Sequence, residues 1–372
     1  MAVISHISSA GHGDASTSVQ DVATERVLET KPRVKPWGPA LVLNNADIYP
    51  ILEGKWDANL KLGAFFKDGS PSPKRLRTDD IPASQVPLPP IGDFVAVGVV
   101  GGMGPAATQD LTDKLLNASL KALELNRPKD APPIKDQDHM PVLTFNLSRV
   151  IGDRTAYLNS FTGNRDNPEE WRAHLLKSDP GNPYWGALAC AKTLVEGGAH
   201  FLIFPCNTFH AYHGVLSEKL KVPLLHIAEA TMWALKKGKL DPDKPVALLA
   251  TDGTIASKLY QTASQKMESY GCPKINWVLP SPESQKEHIM KGIYQGVKAG
   301  DVALGTELMD AGVREISSRH QISAAVEGCT EIPIALKDMD YGNIKLVDPT
   351  QALAEMAVEF SRSLARLERH YT

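Results

Sequence analysis

The sequence predicts an α/β protein with two similar lobes, each built on a parallel β-sheet. From residue 93 onwards, short apolar segments alternate with helix-like ones, and part of this pattern occurs twice. Strands that are apolar on both faces and are each followed by a helix are typical of parallel sheets covered on both sides. Residues 1–92 are rich in proline, serine and charge, which predicts a poorly structured, partly disordered N-terminal extension and linker.

The overall composition argues against several functional classes. A hydrophobic content of 42% and a charged content of 22% are ordinary for a globular protein, and the net charge of −3 gives no reason to expect nucleic acid or a membrane as partner. No apolar run approaches the roughly 18 residues of a membrane span. The N-terminus lacks the basic and apolar regions of a secretory signal, and the four cysteines show no tight spacing. We therefore expect a cytoplasmic protein with reduced thiols.

Two segments of the extension allow a more specific interpretation. Residues 40–66 contain enough apolar side chains to pack on the main body. The run KRLR at 74–77 fits a nuclear localisation signal or a solvated linker, and the linker is the preferred interpretation.

Strands and helices alternate through the remaining chain. In order, the predicted strands are FVAVGVVG, PVLTFNL, HFLIFP, PLLHI, VALLAT, INWVLP, SAAVEG and IKLVD. Helical periodicity is found in AATQDLTDKLLNASLKALEL, GALACAKTLVEGG, AEATMWALKKG and IASKLYQTASQKMESYG. This order favours βα units over hairpins.

An internal repeat relates the two predicted lobes. The segment at 97–108 aligns without a gap with the segment at 246–257, which places Gly104 over Gly253. Between them, the polar segment at 160–185 is predicted to be an inserted loop.

Removing this insertion also aligns Cys206 with Cys329. The first lobe is predicted to span 93–222 plus 343–372, and the second 223–342. Each lobe would then present one thiol from the carboxyl end of a strand, the edge at which open α/β sheets bind ligands.

Cys206 and Cys329 are the predicted catalytic residues. Each follows an apolar strand on a turn towards a helix, where unpaired backbone N–H groups and the helix dipole favour the thiolate. Two such thiols on opposite sides of a carbon atom could remove a proton from one face and return one to the other, which inverts a stereocentre. Cys190, in a helix, and Cys272, in a turn, are expected only to fill core.

Two other uses of the thiols remain open. His210 and His213 follow Cys206 closely enough for a metal site, although zinc sites usually contain a C-x-x-C motif that is missing here. A redox disulfide between Cys206 and Cys329 requires that the two sulfurs meet, although redox enzymes more often keep both in one C-x-x-C motif.

The first lobe begins with a glycine-rich loop. Gly102, Gly104 and Ala107 match a dinucleotide-binding fingerprint, but no acidic residue ends a second strand at the expected distance. A more general interpretation is that the glycines let the backbone approach a ligand. The helix that follows, beginning at Pro105, would then bind an anion such as a carboxylate.

Three basic side chains are candidates to bind an acidic ligand. Arg154 could clamp a carboxylate with its two-pronged guanidinium group. Lys291 and Lys298 lie on a predicted helix, and by themselves they indicate only a solvated surface.

With these motifs in place, the sequence resembles the aspartate/glutamate racemase superfamily, and specifically its aspartate racemase branch. The likeness runs from about residue 93 to the C-terminus without the 160–185 segment. It is carried, in order, by GGMGPAAT, DRTAYL, PCNTFHAYH, ATDGTIASKLYQ, MKGIYQGVKAG and GCTEIPIAL. Glutamate racemases generally have a histidine after the second Gly-Cys-Thr, where this chain has Glu331, and this favours the aspartate branch.

The resemblance implies two flavodoxin-like lobes related by pseudo-twofold symmetry, with the site between them and with neither pyridoxal phosphate nor a metal. It implies two-base racemisation of aspartate or a close acidic amino acid, with one of the two cysteines a thiolate and the other a thiol at any moment. The substrate-binding residues implied by the matched motifs are Met103, Gly104, Arg154, Asn207, Thr208, Lys291 and Thr330. Arg154 would clamp the side-chain carboxylate with Lys291 as its partner. The expected partner is a small acidic amino acid, and a homodimer is a possible assembly.

The chain departs from the family in three places. The extension has no counterpart in compact members, the 160–185 insertion could reshape the distal pocket, and Phe209 is bulkier than the alanine usual beside the first base. These departures leave the substrate's side chain open. Two alternative functions also remain: a non-catalytic acidic amino-acid-binding protein with the same cleft, and a thiol–disulfide oxidoreductase.

Overall fold

Two parallel β-sheets form the framework of the molecule, which is described from a computed structural model covering residues 43–56, 92–125, 127–238, 240–241 and 243–371. The strands are β1 Val97–Gly101, β2 Val142–Asn146, β3 Phe201–Ile203, β4 Val246–Ala250, β5 Trp277–Val278, β6 Ala324–Gly328 and β7 Lys345–Val347. Their order is β2-β1-β3 in the first sheet and β5-β4-β6-β7 in the second, and every pair is parallel. The predicted α/β architecture with parallel sheets is confirmed.

Helices cover these sheets. In chain order they are α1 Ile48–Leu52, α2 Pro105–Glu124, α3 Arg154–Asn159, α4 Pro168–Leu175, α5 Pro183–Glu196, α6 His213–Ser217, α7 Ile227–Lys237, α8 Asp252–Ala256, α9 Leu259–Glu268, α10 Pro282–Ser284, α11 Val302–Arg319, α12 Ile332–Leu336 and α13 Pro349–Tyr371. After α10 the chain continues in π-helical turns over Gln285–Met290 and Gly292–Gly296. Among the described residues, no helix is both long enough and apolar enough to cross a membrane.

The order of strands repeats between the two sheets, as the internal repeat predicted. β1 lies between the second and third strands of its sheet, and β4 lies between β5 and β6 in the same way. The predicted strand PLLHI is reduced to a single parallel bridge between Leu202 and Leu224. The strands β3 and β6, which precede Cys206 and Cys329, therefore occupy equivalent positions.

Two features differ from the sequence prediction. Residues 343–372 are expected in the first lobe, but β7 pairs with β6, so the second sheet includes this strand. Within residues 343–372, it is α13 that packs against α2 of the first lobe. The segment 160–185 is expected to be a loop, yet it contains α4, because the rings of Trp171 and His174 pack on Phe161 and give the insertion a small apolar centre.

Part of the N-terminal extension packs on the main body. Residues 43–56 form a short 3-10 turn and α1, whose buried side chains include Ile48, Tyr49 and Ile51. This agrees with the expectation that the apolar middle of the extension contributes to the core. The remainder of the extension, including the KRLR run, lies outside the described residues.

Tyr49 is the side chain through which α1 is expected to stabilise the protein most. It is 3% exposed, its ring packs on Tyr270 and Trp233, and its hydroxyl donates a hydrogen bond of 2.6 Å to Glu229. We expect Tyr49→Ala to lower the free energy of unfolding by about 3–5 kcal/mol. Tyr49→Phe keeps the ring and removes only the donor, so its effect should be about 1–3 kcal/mol. Urea denaturation measures both, and unchanged stability of Tyr49→Ala would show that α1 does not belong to the core.

Candidate active site

The two predicted catalytic cysteines lie at the carboxyl ends of equivalent strands. Cys206 follows β3, and Cys329 directly follows β6. Their side chains are 5% and 6% exposed, and both thiols are free of disulfide bonds. A thiol at this edge of each sheet is what the sequence pattern indicates, and the environments of the two sulfurs then determine what each can do.

Arg154 places a cation against Cys206. Its guanidinium group donates to the carbonyl oxygens of Met103 at 2.7 Å and Gly152 at 3.3 Å, and it interacts electrostatically with Cys206. Burial lowers the pKa of Arg154, but the interaction with Cys206 and the charges of Asp153 and Glu331 outweigh it and raise this pKa overall. Arg154 also keeps one buried donor, Nε, without a partner among the described residues.

Cys329 has the opposite environment. Its Sγ donates a hydrogen bond of 3.0 Å to Oε2 of Glu331, which also accepts one of 3.2 Å from the hydroxyl of Thr330. Burial first, and then the negative charge of Glu331, raise the pKa of Cys329 well above its usual value. The strand-end position predicts a favoured thiolate, but burial beside a carboxylate keeps Cys329 protonated at neutral pH. The site therefore contains one thiol beside a cation and one thiol beside an anion.

The structure brings Lys298, rather than Lys291, to these groups. Lys291 forms an ion pair with Glu287, four residues earlier on the same helical segment. The ammonium group of Lys298 lies 4.2 Å from the ring centre of Tyr294. Burial lowers the pKa of Lys298, but Glu331 and Cys329 outweigh it and raise this pKa overall, so Lys298 stays charged beside Cys329.

A break in the helix explains why Lys298, and not Lys291, interacts with these groups. The π-helical turns end at Gly296, and a 3-10 turn over Val297–Ala299 follows. Helical periodicity cannot reveal this change of direction, after which Lys298 lies over the ring of Tyr294 and interacts electrostatically with Glu331 and Cys329. Both lysines stand in the motif MKGIYQGVKAG, so the motif alone does not decide between them.

Asn207 and Thr208 follow Cys206 and have different roles. Oδ1 of Asn207 accepts a hydrogen bond of 2.6 Å from the hydroxyl of Tyr260, while its Nδ2 is buried without a partner in the described part of the chain. The hydroxyl of Thr208 is engaged with those of Thr251 at 2.8 Å and Thr254 at 3.0 Å, which follow β4. The side chain of Asn207 is thus available to a ligand, whereas the Thr208 hydroxyl joins the two lobes.

The glycine-rich loop approaches the second lobe at Glu331. A Cβ atom on Gly104 would lie 3.3 Å from Oε1 of Glu331, so a larger residue would require this carboxylate to move by a few tenths of an ångström. The loop is held by Thr108, whose hydroxyl accepts from the N–H of Gly102 at 3.0 Å and donates to the carbonyl of Gly104 at 3.1 Å. Met103, between these glycines, is 1% exposed and presents its carbonyl to Arg154. Thr108 was not identified from the sequence; it holds the loop in place.

His210 supports the first cysteine and has no free nitrogen for a metal ion. Its Nδ1 donates to the carbonyl of Cys206 at 2.8 Å, and its Nε2 accepts from the N–H of Ile227 at 3.1 Å. Burial, followed by the charge of His213, lowers the pKa of His210 to about 3, so the ring is neutral. Within the described ranges, no group of three histidine, cysteine or acidic side chains is arranged to hold a metal. His210 is a positioning residue for the backbone of Cys206.

Together these groups fit a small anionic ligand. Nε of Arg154 and Nδ2 of Asn207 are buried N–H donors that lack partners in the described residues, and buried donors are normally satisfied. The ammonium group of Lys298 adds a second cation on the side of Cys329. A carboxylate could satisfy these donors.

Comparison with known proteins gives one consistent answer. The model of the Asp/Glu/hydantoin racemase family matches residues 100–357. The broad specificity amino-acid racemase RacX of Bacillus subtilis (strain 168) is 23% identical over 266 residues, which are 70% of this chain and 96% of that protein. Aspartate racemase of Picrophilus torridus shares the fold with a TM-score of 0.50 at 24% identity, covering 70% of this chain and 90% of its own. A putative Asp/Glu racemase from Yersinia pestis has a TM-score of 0.50 at 18% identity, covering 72% and 98%.

Proposed function

Because the chain belongs to the Asp/Glu/hydantoin racemase family, we propose that it interconverts L- and D-aspartate, or a close acidic amino acid, without a cofactor. Family membership makes the protein an amino-acid racemase, and hence an isomerase. The acidic substrate and the two-cysteine mechanism are the proposal. The observation that supports them most is the pair of unpartnered buried donors, on Arg154 and Asn207, beside Cys206. Lys298 supports the same assignment from the side of Cys329.

In the proposed reaction, Cys206 and Cys329 act on opposite faces of the substrate's α-carbon. Cys206, acting as a thiolate, takes the α-proton, so that a C–H bond breaks and an S–H bond forms. The thiol of Cys329 then gives its proton to the opposite face of the carbanion and becomes a thiolate beside Lys298. The reverse sequence converts the other enantiomer. Arg154, Asn207 and Lys298 hold the carboxylates and stabilise the negative charge that develops on the carbanion.

The test of this proposal is α-proton exchange in heavy water. Purified protein is incubated with L- and D-aspartate, L- and D-glutamate and a small acidic panel, with no cofactor added. We expect loss of the α-hydrogen by NMR and formation of the other enantiomer by chiral chromatography, with aspartate or a close relative fastest. A binding protein would leave the α-hydrogen in place, and an oxidoreductase would instead form a reversible Cys206–Cys329 cross-link under mild oxidant. Absence of exchange with every acidic substrate would refute the proposal.

Glu331 gives this mechanism a specific pH dependence. In the wild type, burial and Glu331 raise the pKa of Cys329, so Cys329 can donate its proton up to alkaline pH. Glu331→Gln removes the negative charge, which lowers this pKa, and the acid form should be lost at a lower pH. We expect the alkaline limb of kcat/KM to move to lower pH for the enantiomer whose proton Cys206 removes.

The measurement is kcat/KM against pH for both enantiomers. Glu307→Gln, an exposed substitution on α11 with the same change in net charge, serves as the control and should leave the profile unchanged. An alkaline limb that stays in place or moves upward in Glu331→Gln would show that Glu331 does not set the protonation of Cys329.

A further inference from the structure

A cavity of about 660 Å³ lies outside the candidate active site. It is formed by α2 of the first lobe together with β6, α12 and the β7 region of the second. This volume is in the range of sites that bind small organic molecules. None of the residues assigned to the active site lines it.

Glu327 is the unusual group in this cavity. It stands on β6, two residues before Cys329, and it is only 3% exposed. Its side chain lines the cavity, and its carboxyl group makes no hydrogen bond to any residue that the structure describes. Buried carboxyl groups are normally hydrogen-bonded or paired, because an unsatisfied one costs free energy. The carboxyl group of Glu327 is therefore a binding group without a partner.

The charges around Glu327 favour a cation. The charged groups that face the cavity are Asp110, Asp113 and Lys114 from α2, Lys337 and Asp340 from the end of α12 and the following loop, and Asp348 before α13. These are four carboxylates against two ammonium groups, so the cavity is negative even when Glu327 is protonated. Lys114 is already paired with Asp110 and, at 2.6 Å, with Asp348.

The two nearby tyrosines do not satisfy Glu327 either. The hydroxyl of Tyr341 donates to Asp310 at 2.9 Å, and that of Tyr260 donates to Asn207 at 2.6 Å. Burial, followed by the charge of Asp348, raises the pKa of Glu327 to about 8, although Lys114 opposes this. Glu327 is consequently neutral at pH 7, and a cation that displaces its proton would form the missing ion pair.

We propose that this cavity binds a small organic cation, an ammonium or guanidinium group on a short apolar body, with Glu327 as the anionic anchor. Pro333, Ile334, Met339 and Leu346 supply an apolar wall for such a body. In the described residues no group of three acidic, histidine or cysteine side chains could hold a metal ion, which favours an organic cation. On binding, the O–H bond of Glu327 breaks, its proton leaves to solvent, and the carboxylate accepts hydrogen bonds from the cation. This site is independent of the proposed reaction.

Isothermal titration calorimetry of the full chain with n-butylguanidinium tests the proposal, with n-butylurea as the uncharged probe of the same shape. The guanidinium group stays charged throughout the accessible pH range, so only the protein titrates. We expect binding of n-butylguanidinium but not of n-butylurea, with release of about one proton at pH 6–7. Below the pKa of Glu327 the proton must be displaced, so affinity should rise about tenfold from pH 6 to pH 7 and level off above pH 8. Heats measured in phosphate and Tris buffers report the released proton.

Glu327→Gln provides the matched variant, since glutamine resembles the neutral acid that the fold already contains. It should abolish proton release and the pH dependence and weaken binding at pH 8 by about tenfold or more. Glu307→Gln should change none of these. Equal binding of n-butylurea, no proton release in the wild type, or no binding of n-butylguanidinium at about 10 mM would overturn the proposal. If Glu327→Gln does not fold, proton release by the wild type on binding n-butylguanidinium is the deciding measurement: release supports the proposal, and its absence overturns it.

Discussion

Cys206→Ser and Cys329→Ser are each expected to reduce the racemisation of aspartate by about 10²–10⁴-fold, the range typical of a lost general acid or base. A serine hydroxyl has a far higher pKa than a thiol, so near neutral pH it supplies no anionic base and is a poorer proton donor. The two variants should also differ in heavy water. Cys206→Ser should stop α-proton exchange for one enantiomer, and Cys329→Ser should stop it for the other. Chiral chromatography and NMR measure turnover and exchange.

Two other cysteines serve as matched controls for this experiment. Cys190 on α5 and Cys272 after α9 are also buried, and their side chains are 3% and 6% exposed. Replacing either by serine should leave kcat/KM close to that of the wild type. Near-normal turnover in Cys206→Ser or in Cys329→Ser would end the two-base model, whereas equal losses in all four variants would indicate a general effect of removing buried thiols.

Arg154→Ala should have the second-largest effect, a loss of about 10²–10³-fold in kcat/KM for aspartate. In the proposed mechanism this side chain supports Cys206 as the base and binds the substrate. In the structure it holds the carbonyl of Met103 at 2.7 Å, and its buried Nε has no partner among the described residues. Arg154→Lys keeps the charge but not the planar fork, so it should recover only part of the activity.

The control for this prediction is Arg149→Ala, which removes an exposed arginine five residues before Arg154 and should leave kcat/KM unchanged. Measuring kcat and KM separately distinguishes the two roles of Arg154. Loss of substrate binding raises KM, and loss of the thiolate lowers kcat. If Arg154→Ala changes neither parameter, Arg154 is not part of the site.

The positions of the site's main groups follow from the sequence because they depend on strand ends. An apolar run that stops at a cysteine marks the carboxyl edge of a parallel sheet, and the repeat predicts that the second sheet does the same. The structure accordingly places Cys206 and Cys329 after β3 and β6. The glycine loop before α2 is predicted for the same reason. The ends of the strands and the glycine loop are determined by residues that are close in sequence, so a sequence pattern is enough to predict them.

The features that the sequence did not predict depend on side chains that meet across the fold. Lys298 interacts electrostatically with Glu331 and Cys329 after the helix breaks at Gly296, and Glu331 keeps Cys329 protonated because both are buried together. Glu327 stands in a strand-like run, but its isolation follows only from what packs around it. In each case the chemistry depends on burial and on partners distant in sequence.

The three hydroxyl groups of Thr208, Thr251 and Thr254 also have a kinetic consequence. They are bonded to one another at 2.8–3.1 Å and connect the turn after Cys206 to the start of α8, so they join the two lobes. If an amino acid enters or leaves by separation of the lobes, these hydrogen bonds must first break. Opening of the lobes and release of product would then limit kcat more than proton transfer does. Deuterium at the α-carbon would therefore slow the steady-state rate only slightly.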